Sequence, residues 1–464
     1  SLEMPSGLYI QGAGTQVTIF KQIADSVGPV LKSSYGSNIK IITLHDFYVD
    51  GNRADFTDPT IYNDGIYFEG GNAADNASCV ARAVHVERAT GNGWHFGSNR
   101  HQISLQYCYA KNCGNKIVGS DPLANSTGYG LRINSCADAF VGAGCGFGSN
   151  QNTSITIATS ATPVIDSAEI WWAGTDTVDK PNIEFFKCPN FSCTNNNIDR
   201  SRVAAVKVTG RFTTSDQPYH ENGFITGNTF LFPYGSGGAG VDGDVDFIQL
   251  KDTSGILISG NQFRANANDS GTDSRVVLVN YIVKKIPSST VLDIAFTGNH
   301  WSTRTGGKPF VTAICNDYSI FSRLEASGTF TPQIKDNSST VATTSNSSGA
   351  WFADGNTVTY KVALENITTT GLSLSDETRI YGLLAPNPLG TAFQTTGTVQ
   401  FQQINVSTPA MGYVASVEGG DNYISIRGIV DNVNRSRIPL SELNSGTADI
   451  WLSISLPLHA PNGS

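Results

Sequence analysis

A repeat in residues 1–325 is the feature that most constrains the fold. One short motif, centred on an asparagine that usually follows a glycine, recurs with its asparagines 32, 33 and 38 residues apart, at Asn196, Asn228, Asn261 and Asn299. Repeats of this length are typical of solenoids and propellers, in which each repeat buries its apolar face against its neighbours.

A second motif in the same region is a short strand in which apolar and polar residues alternate. Its central residues step by 28, 37, 39, 36 and 42 positions, at Tyr67, His95, Arg132, Trp171, Lys207 and Gln249. An apolar period of two excludes helical repeats. Because the steps are uneven, we expect a right-handed parallel β-helix, whose loops can bulge sideways, rather than a propeller. The asparagines would then form a side-chain amide ladder along the stack.

Composition supports an all-β fold. The chain has 48 glycines, and charged residues make up only 15% of it. Its eight cysteines lack the spacing of a zinc site, and we expect them to be free thiols buried in the β core. No motif indicates a cofactor or a metal.

The last part of the chain differs from the repeat. We predict a polar linker at 326–349 and a β-sandwich at 350–464, where short alternating strands follow one another. A formal net charge of −9 argues against a nucleic-acid partner. The sequence contains no run of 18 apolar residues, so we expect no insertion into a membrane.

Three short motifs stand in order near the start: Gly12-Ala13-Gly14, Asp50-Gly51-Asn52 and Asn63-Asp64-Gly65-Ile66. They resemble the opening coils of the tailspike and capsule-depolymerase branch of the pectate-lyase-like β-helix superfamily. The run from Trp351 to Pro388 resembles the C-terminal sandwich of many phage tail proteins. Such sandwiches commonly help to trimerise the chain or bind glycan.

The resemblance implies a homotrimer in the virion tail that recognises and depolymerises a bacterial surface polysaccharide, either capsule or O-antigen. It would act outside the cell, and a preceding N-terminal region would attach it to the phage. The implied reaction is endo-glycoside hydrolysis. Two alternatives remain: β-elimination at a uronic acid, and glycan binding without catalysis.

Side-chain alternation predicts where the site lies. If the apolar residues of the second motif point into the coil, its central residues form one outer column. We expect catalytic groups among Glu69, Glu169, His95, Arg132 and Lys207, and substrate contacts from Trp171, Tyr67, Tyr129, Asn134 and Gln249.

Each chemistry needs different members of this set. Hydrolysis needs two carboxylates, and Glu69 is too far from Glu169 in the predicted register to form the pair. Glu169 could instead pair with Asp176 or Asp179, or with a carboxylate of an adjacent chain. Elimination needs a base and a cation, which His95, Arg132 and Lys207 would supply with Tyr129 nearby.

Overall fold

The computed structural model describes residues 1–33, 41–58, 61–69, 78–97, 100–114, 128–174, 180–201, 203–210, 221–231, 245–264, 279–301, 311–316, 320–337, 340–354, 357–381, 394–404, 412–418, 423–429 and 435–457. The chain divides into two units, Ser1–Thr305 with Phe310–Asp317, and Gly306–Pro309 with Tyr318–Ser464. In the described part, no helix has the length and apolar character needed to cross a membrane.

The first unit is built from short strands: β1 (Leu2–Met4), β2 (Tyr9–Gln11), β3 (Ile19–Lys21), β4 (Leu31–Ser33), β5 (Ile41–Asp50), β6 (Ile66–Phe68), β7 (Ser78–Glu87), β8 (Trp94–Phe96), β9 (Arg100–Gln106), β10 (Tyr109–Lys111), β11 (Leu131–Ile133), β12 (Cys136–Val141), β13 (Gly146–Asn150), β14 (Ile155–Ala158), β15 (Ser160–Asp166), β16 (Glu169–Ala173), β17 (Ile183–Phe186), β18 (Ser192–Thr194), β19 (Asn197–Asp199), β20 (Ala204–Thr209), β21 (Gly223–Thr226), β22 (Thr229–Leu231), β23 (Asp246–Lys251), β24 (Thr253–Ser259), β25 (Gln262–Arg264), β26 (Val279–Lys285), β27 (Val291–Thr297), β28 (His300–Trp301) and β29 (Val311–Cys315).

These strands stack in three parallel sheets. Sheet A has 11 strands in the order β1-β4-β6-β8-β11-β14-β17-β20-β23-β26-β29. Sheet B contains β2, β5, β7, β9, β12, β15, β18, β21, β24 and β27, and sheet C contains β3, β5, β7, β10, β13, β16, β19, β22, β25 and β28. The long strands β5 and β7 contribute to both of these sheets. Each coil therefore runs through A, B and C before the next begins, which confirms the predicted parallel β-helix.

Two kinds of stacking hold the coils together. Inward-facing rings stack between neighbouring coils, with centroids 4.7 Å apart for Phe68 and Phe96. The predicted amide ladder is confirmed, since Asn196 Nδ2 donates to Asn228 Oδ1 at 3.0 Å and the pattern continues to Asn261 and Asn299. All eight cysteines are free and buried, as predicted.

The second unit is antiparallel. Its strands are β30 (Phe321–Phe330), β31 (Gln333–Lys335), β32 (Asn346–Asp354), β33 (Thr357–Ile367), β34 (Arg379–Tyr381), β35 (Gln394–Gln402), β36 (Gly412–Glu418), β37 (Ile424–Ile429), β38 (Arg435–Arg437) and β39 (Ala448–Pro457). Residues 326–349 are not the linker we predicted, because they carry parts of β30 and β32 and all of β31. Along β33, buried and more exposed residues alternate, as a half-buried strand requires. The sandwich itself stays a prediction.

Candidate functional site

Sheet A carries the outer column that the sequence predicted, with one part in error. Paired positions run through Glu3, Lys32, Tyr67, His95, Arg132, Thr156, Glu184, Lys207, Gln249 and Lys284. Tyr67, His95 and Arg132 are consecutive, and Lys207 neighbours Gln249, as expected.

Trp171 does not belong to this column. Its strand, β16, lies in sheet C, and Thr156 and Glu184 occupy the two coils between Arg132 and Lys207. The prediction failed because Ile170-Trp171-Trp172 alternates like a sheet A strand. Only Ile170 of the two residues predicted to point inward does so, since Trp172 is 37% exposed. Glu169 lies on the same strand as Trp171 and therefore also belongs to sheet C.

Four carboxylates on or beside the sheet A column have a basic side chain close by. Glu69 lies 3.5 Å from Lys32, and Glu184 lies 2.8 Å from Lys207. Asp64 lies 2.7 Å from His95, and Asp246 lies 3.2 Å from Lys284. Of these four carboxylates, only Glu69 was among the predicted site residues. Each of these carboxylates therefore already contacts a lysine or a histidine.

The remaining predicted residues of sheet A also have defined positions. Asn134 Oδ1 accepts a hydrogen bond from Arg132 Nε at 3.0 Å. The Tyr129 ring lies 5.4 Å from the Arg132 guanidinium. Gln249 is only 7% exposed and donates to Asp246 at 2.9 Å, so its outward-facing side chain is covered and does not lie on an open binding face.

Sheet C presents two parallel outer columns instead of one. The first runs through Tyr48, His85, Tyr109, Gly146, Glu169, Asn197, Thr229, Gln262 and His300. The second runs through Asp50, Glu87, Lys111, Gly148, Trp171, Asp199, Leu231 and Arg264. Strand β13 therefore contributes a glycine to each column.

These two glycines form a ledge on which aromatic rings lie. A Cβ added to Gly148 would come within 2.3 Å of the Trp171 indole, and one added to Gly146 would come within 2.4 Å of the Tyr109 ring and 3.2 Å of Trp171. The indole thus lies against the backbone of β13. Only glycine leaves room for a ring there, and the result is an aromatic platform beside Glu169.

Glu169 and Asp199 form a carboxylate pair next to this platform. They lie on adjacent strands, because Glu169 pairs with Asn197 and Trp171 pairs with Asp199. Strand spacing and rise put their Cα atoms about 8 Å apart on one face. Glycosidases place their two carboxyl groups about 5–9.5 Å apart, a range that side chains from these positions can reach.

The two carboxyls have different surroundings. Glu169 is exposed, with no basic group in ion-pair range among the described residues, whereas Asp199 is half-buried with Arg200 Nε at 3.6 Å. One oxygen of Asp199, Oδ1, is buried and has no hydrogen-bond partner among the described residues. Burial raises the pKa of Asp199, and the charge and backbone N–H of Arg200 oppose that rise. Such a contrast can assign acid and base roles to a pair of carboxyls.

Tyr109 adds a third group to the pair. Burial, followed by the charge of Glu169, raises the pKa of its hydroxyl. Gly146 separates Tyr109 from Glu169 in the column, and the Tyr109 ring lies over this glycine with the Trp171 indole beside it. A sugar ring lying over these side chains would meet a carboxylate, a phenol and the indole platform.

Two other carboxylates of sheet C already form ion pairs with basic side chains. Arg88 donates two hydrogen bonds to Asp50, at 3.1 and 2.8 Å, and Lys111 lies 2.9 Å from Glu87. Glu169 and Asp199 are therefore the better candidates for catalysis. Asp176 and Asp179, the partners first considered for Glu169, lie outside the described residues.

The sequence contained the signal for Asp199. The repeated asparagine motif ends at Ile198, and its outward-facing neighbours are Asn197 and Asp199. Extending that motif by one residue would have produced the second column. In the part of the chain that the structure describes, no cluster of three or more His, Cys, Asp or Glu residues could hold a metal ion.

No protein-family model and no curated protein matches this chain. Several similar solved structures are phage tailspikes. The Dettilon tailspike protein is 14% identical, with a TM-score of 0.45 over 98% of this chain and 85% of its own. The enzymatically active domain of tailspike protein 2 of bacteriophage CBA120 is 11% identical, with a TM-score of 0.44 over 100% of this chain and 73% of its own.

A second kind of protein is also similar. The A-module of mannuronan C-5 epimerase AlgE6 from Azotobacter vinelandii is 15% identical, with a TM-score of 0.38 over 68% of this chain and 84% of its own.

Proposed function

We propose that this chain is a polysaccharide depolymerase that cuts a bacterial surface glycan by endo-glycoside hydrolysis on sheet C. One observation carries the proposal: Glu169 and Asp199 share a face in adjacent coils, beside an indole lying on a glycine ledge. Two carboxyl groups and a flat apolar surface are what cleavage of a sugar chain requires.

The pair supplies both halves of the reaction. Asp199, whose pKa is raised by burial, is the general acid and donates its proton to the glycosidic oxygen as the bond breaks. Glu169, as a carboxylate, attacks the anomeric carbon or activates a water molecule to do so. Sheet C continues on both sides of the pair, through His85 and Tyr109 in one direction and Thr229 and Gln262 in the other. A polymer can therefore lie across the site and be cut internally.

The biological setting follows from the sequence motifs that resemble phage tailspikes. In that setting the chain works in the virion tail as a homotrimer attached through an N-terminal region, and its substrate is a capsule or an O-antigen. Light scattering tests the trimer: we expect about three times the 49.4 kDa of one chain, and a monomer that persists at high concentration would contradict it.

The test of the reaction is cleavage of bacterial surface polysaccharides by the wild type and by Asp199→Asn. We expect new reducing ends from the wild type and a loss of about 100-fold or more in the variant, the usual effect of losing a general acid. Asp138→Asn is the matched control, since Asp138 is an exposed carboxylate of sheet B that accepts a hydrogen bond from Thr162.

Three outcomes would contradict the proposal. The first is full activity in Asp199→Asn. The second is a product with the ultraviolet absorbance of an unsaturated uronate, which would show elimination instead of hydrolysis. The third is a polymer that stays intact across a broad panel, which would favour a glycan-binding protein without catalysis.

A further inference from the structure

A chain of four side chains crosses neighbouring coils of sheet A. Arg132 Nε donates to Asn134 Oδ1 at 3.0 Å, Asn134 Nδ2 faces His95 Nε2 at 3.2 Å, and His95 Nδ1 lies 2.7 Å from Asp64 Oδ2. We call these residues, with Tyr67 and Tyr129, the Arg132 cluster. They play no part in the hydrolysis proposed for sheet C.

The hydrogen-bond directions within the Arg132 cluster are fixed by chemistry. Arginine can only donate, so the Asn134 oxygen must face it and the Asn134 amide N–H groups must face His95. His95 then accepts at Nε2 and carries its proton on Nδ1, which donates to Asp64. One consistent arrangement orients all four groups, and such networks make a site rigid.

Aromatic rings line this polar chain. Tyr67 lies beside His95, with ring centroids 4.9 Å apart, and the ring of Tyr129 lies 5.4 Å from the Arg132 guanidinium. Tyr67, His95, Tyr129, Arg132 and Asn134 are all partly exposed. A few fixed polar groups among partly exposed rings are typical of a small-ligand site.

We propose that the Arg132 cluster is a second saccharide site, which binds the carboxylate of an acidic sugar and holds the polymer without cutting it. The guanidinium is held at Nε by Asn134 and supported by Tyr129, so its plane is oriented before a ligand arrives. A planar, oriented guanidinium is the group that recognises a carboxylate through two hydrogen bonds. Asn134 and His95 offer further polar contacts, and Tyr67 offers a face for the ring.

This inference rests on the proposed function for the nature of the ligand, and it narrows the substrate class to acidic polysaccharides. The two sites lie on different sheets and in different coils, with Arg132 on β11 and Glu169 and Asp199 on β16 and β19. A polymer held on sheet A raises the local concentration of its other segments at sheet C, so binding on one face assists cleavage on the other.

The experiment uses an array of acidic bacterial surface polysaccharides, each printed in its native form and after reduction of its uronic acid carboxyls to alcohols. The protein carries Asp199→Asn so that bound polymer stays intact. We expect binding to at least one native polysaccharide and a loss of tenfold or more after carboxyl reduction. Adding Arg132→Gln should cause a similar loss on the native form.

Two further variants keep the experiment decisive. Arg82→Gln is the matched control, because Arg82 also lies over a tyrosine ring, 5.7 Å from Tyr107, but in sheet B. Arg132→Lys retains the charge without the planar fork and should still bind several-fold more weakly, even if Arg132→Gln fails to fold.

Binding that survives both carboxyl reduction and the Arg132 variants would overturn the proposal, and so would the absence of binding to every acidic polysaccharide. The hydrolysis proposed for sheet C fails separately, by full cleavage in Asp199→Asn. The two failures are therefore distinguishable.

Discussion

Sheets A and C of the β-helix both present outward-facing rows of side chains. The two sheets differ in how many of their carboxylates lie close to a basic side chain. On sheet A, Glu69, Asp64, Glu184 and Asp246 each lie 2.7–3.5 Å from a lysine or histidine. On sheet C, Asp50 and Glu87 are paired in the same way with Arg88 and Lys111. Glu169, however, has no such partner among the described residues, and Asp199 has only Arg200 at 3.6 Å. The register of the strands determines the position of a carboxylate, and the presence or absence of a basic side chain beside it determines whether it is available for catalysis.

The largest expected effect compares one glutamate from each sheet. Glu169→Gln should lower the rate of polysaccharide cleavage by about 100-fold or more, because it removes the carboxylate that acts at the anomeric carbon. Glu184→Gln should change the rate by less than about threefold, because Glu184 is paired with Lys207 away from the cut. Reducing-end assays on both variants measure this, and equal losses would erase the distinction between the sheets.

A smaller effect concerns the aromatic platform. Trp171→Ala should raise KM about 10- to 30-fold, since it removes the surface on which a sugar ring rests. Phe186→Ala is the control, because Phe186 is 38% exposed on sheet A. Steady-state kinetics on a defined oligosaccharide give the comparison. An equally raised KM for Phe186→Ala would show that the loss of any exposed aromatic ring has the same effect.

The pH dependence of cleavage should depend on Arg200. Cleavage requires protonated Asp199, so kcat should fall as the pH rises through its raised pKa. The charge of Arg200 lowers that pKa, so Arg200→Gln should move the alkaline limb of the kcat profile to higher pH. A limb that stays in place, or moves to lower pH, would assign it to another group.

The smallest effect is on stability. Burial penalises the charged form of Asp199, so wild-type folding loses stability as the pH rises through its raised pKa. Asp199→Asn removes this penalty, and its Tm should be equal to or above that of the wild type at pH values above that pKa. The difference should vanish in acid, where both side chains are neutral. A lower Tm at alkaline pH would indicate that the charged form is stabilised.

The fold could be predicted because the coil depends on local signals. The asparagines at 196, 228, 261 and 299 marked one corner of successive coils, and their amide ladder is present. The prediction of the central positions of sheet A was wrong between Arg132 and Lys207. There the paired residues Leu131, Ile155, Ile183 and Val206 are separated by only 24, 28 and 23 positions (131→155→183→206). Steps of 24 and 23 positions are shorter than any step in the predicted column, so the motif search passed over these two coils.

The site was harder to predict because it depends on contacts between coils. His95 lies 31 residues from its partner Asp64, and no local pattern shows that their side chains meet. The role of Gly146 and Gly148 was equally hidden, since a glycine in a strand does not indicate which ring will cover it. Once the register is known, Gly148 and Trp171 are seen to be paired positions, and Tyr67 rather than Asp64 is the paired position of His95.

The most direct measurement is a crystal structure of the Asp199→Asn protein with a fragment of its polysaccharide. We predict sugar density along β13 and β16, with a ring against Trp171 and a glycosidic oxygen within hydrogen-bond distance of residue 199. Density confined to sheet A, or a glycosidic bond placed far from Glu169, would contradict hydrolysis on sheet C.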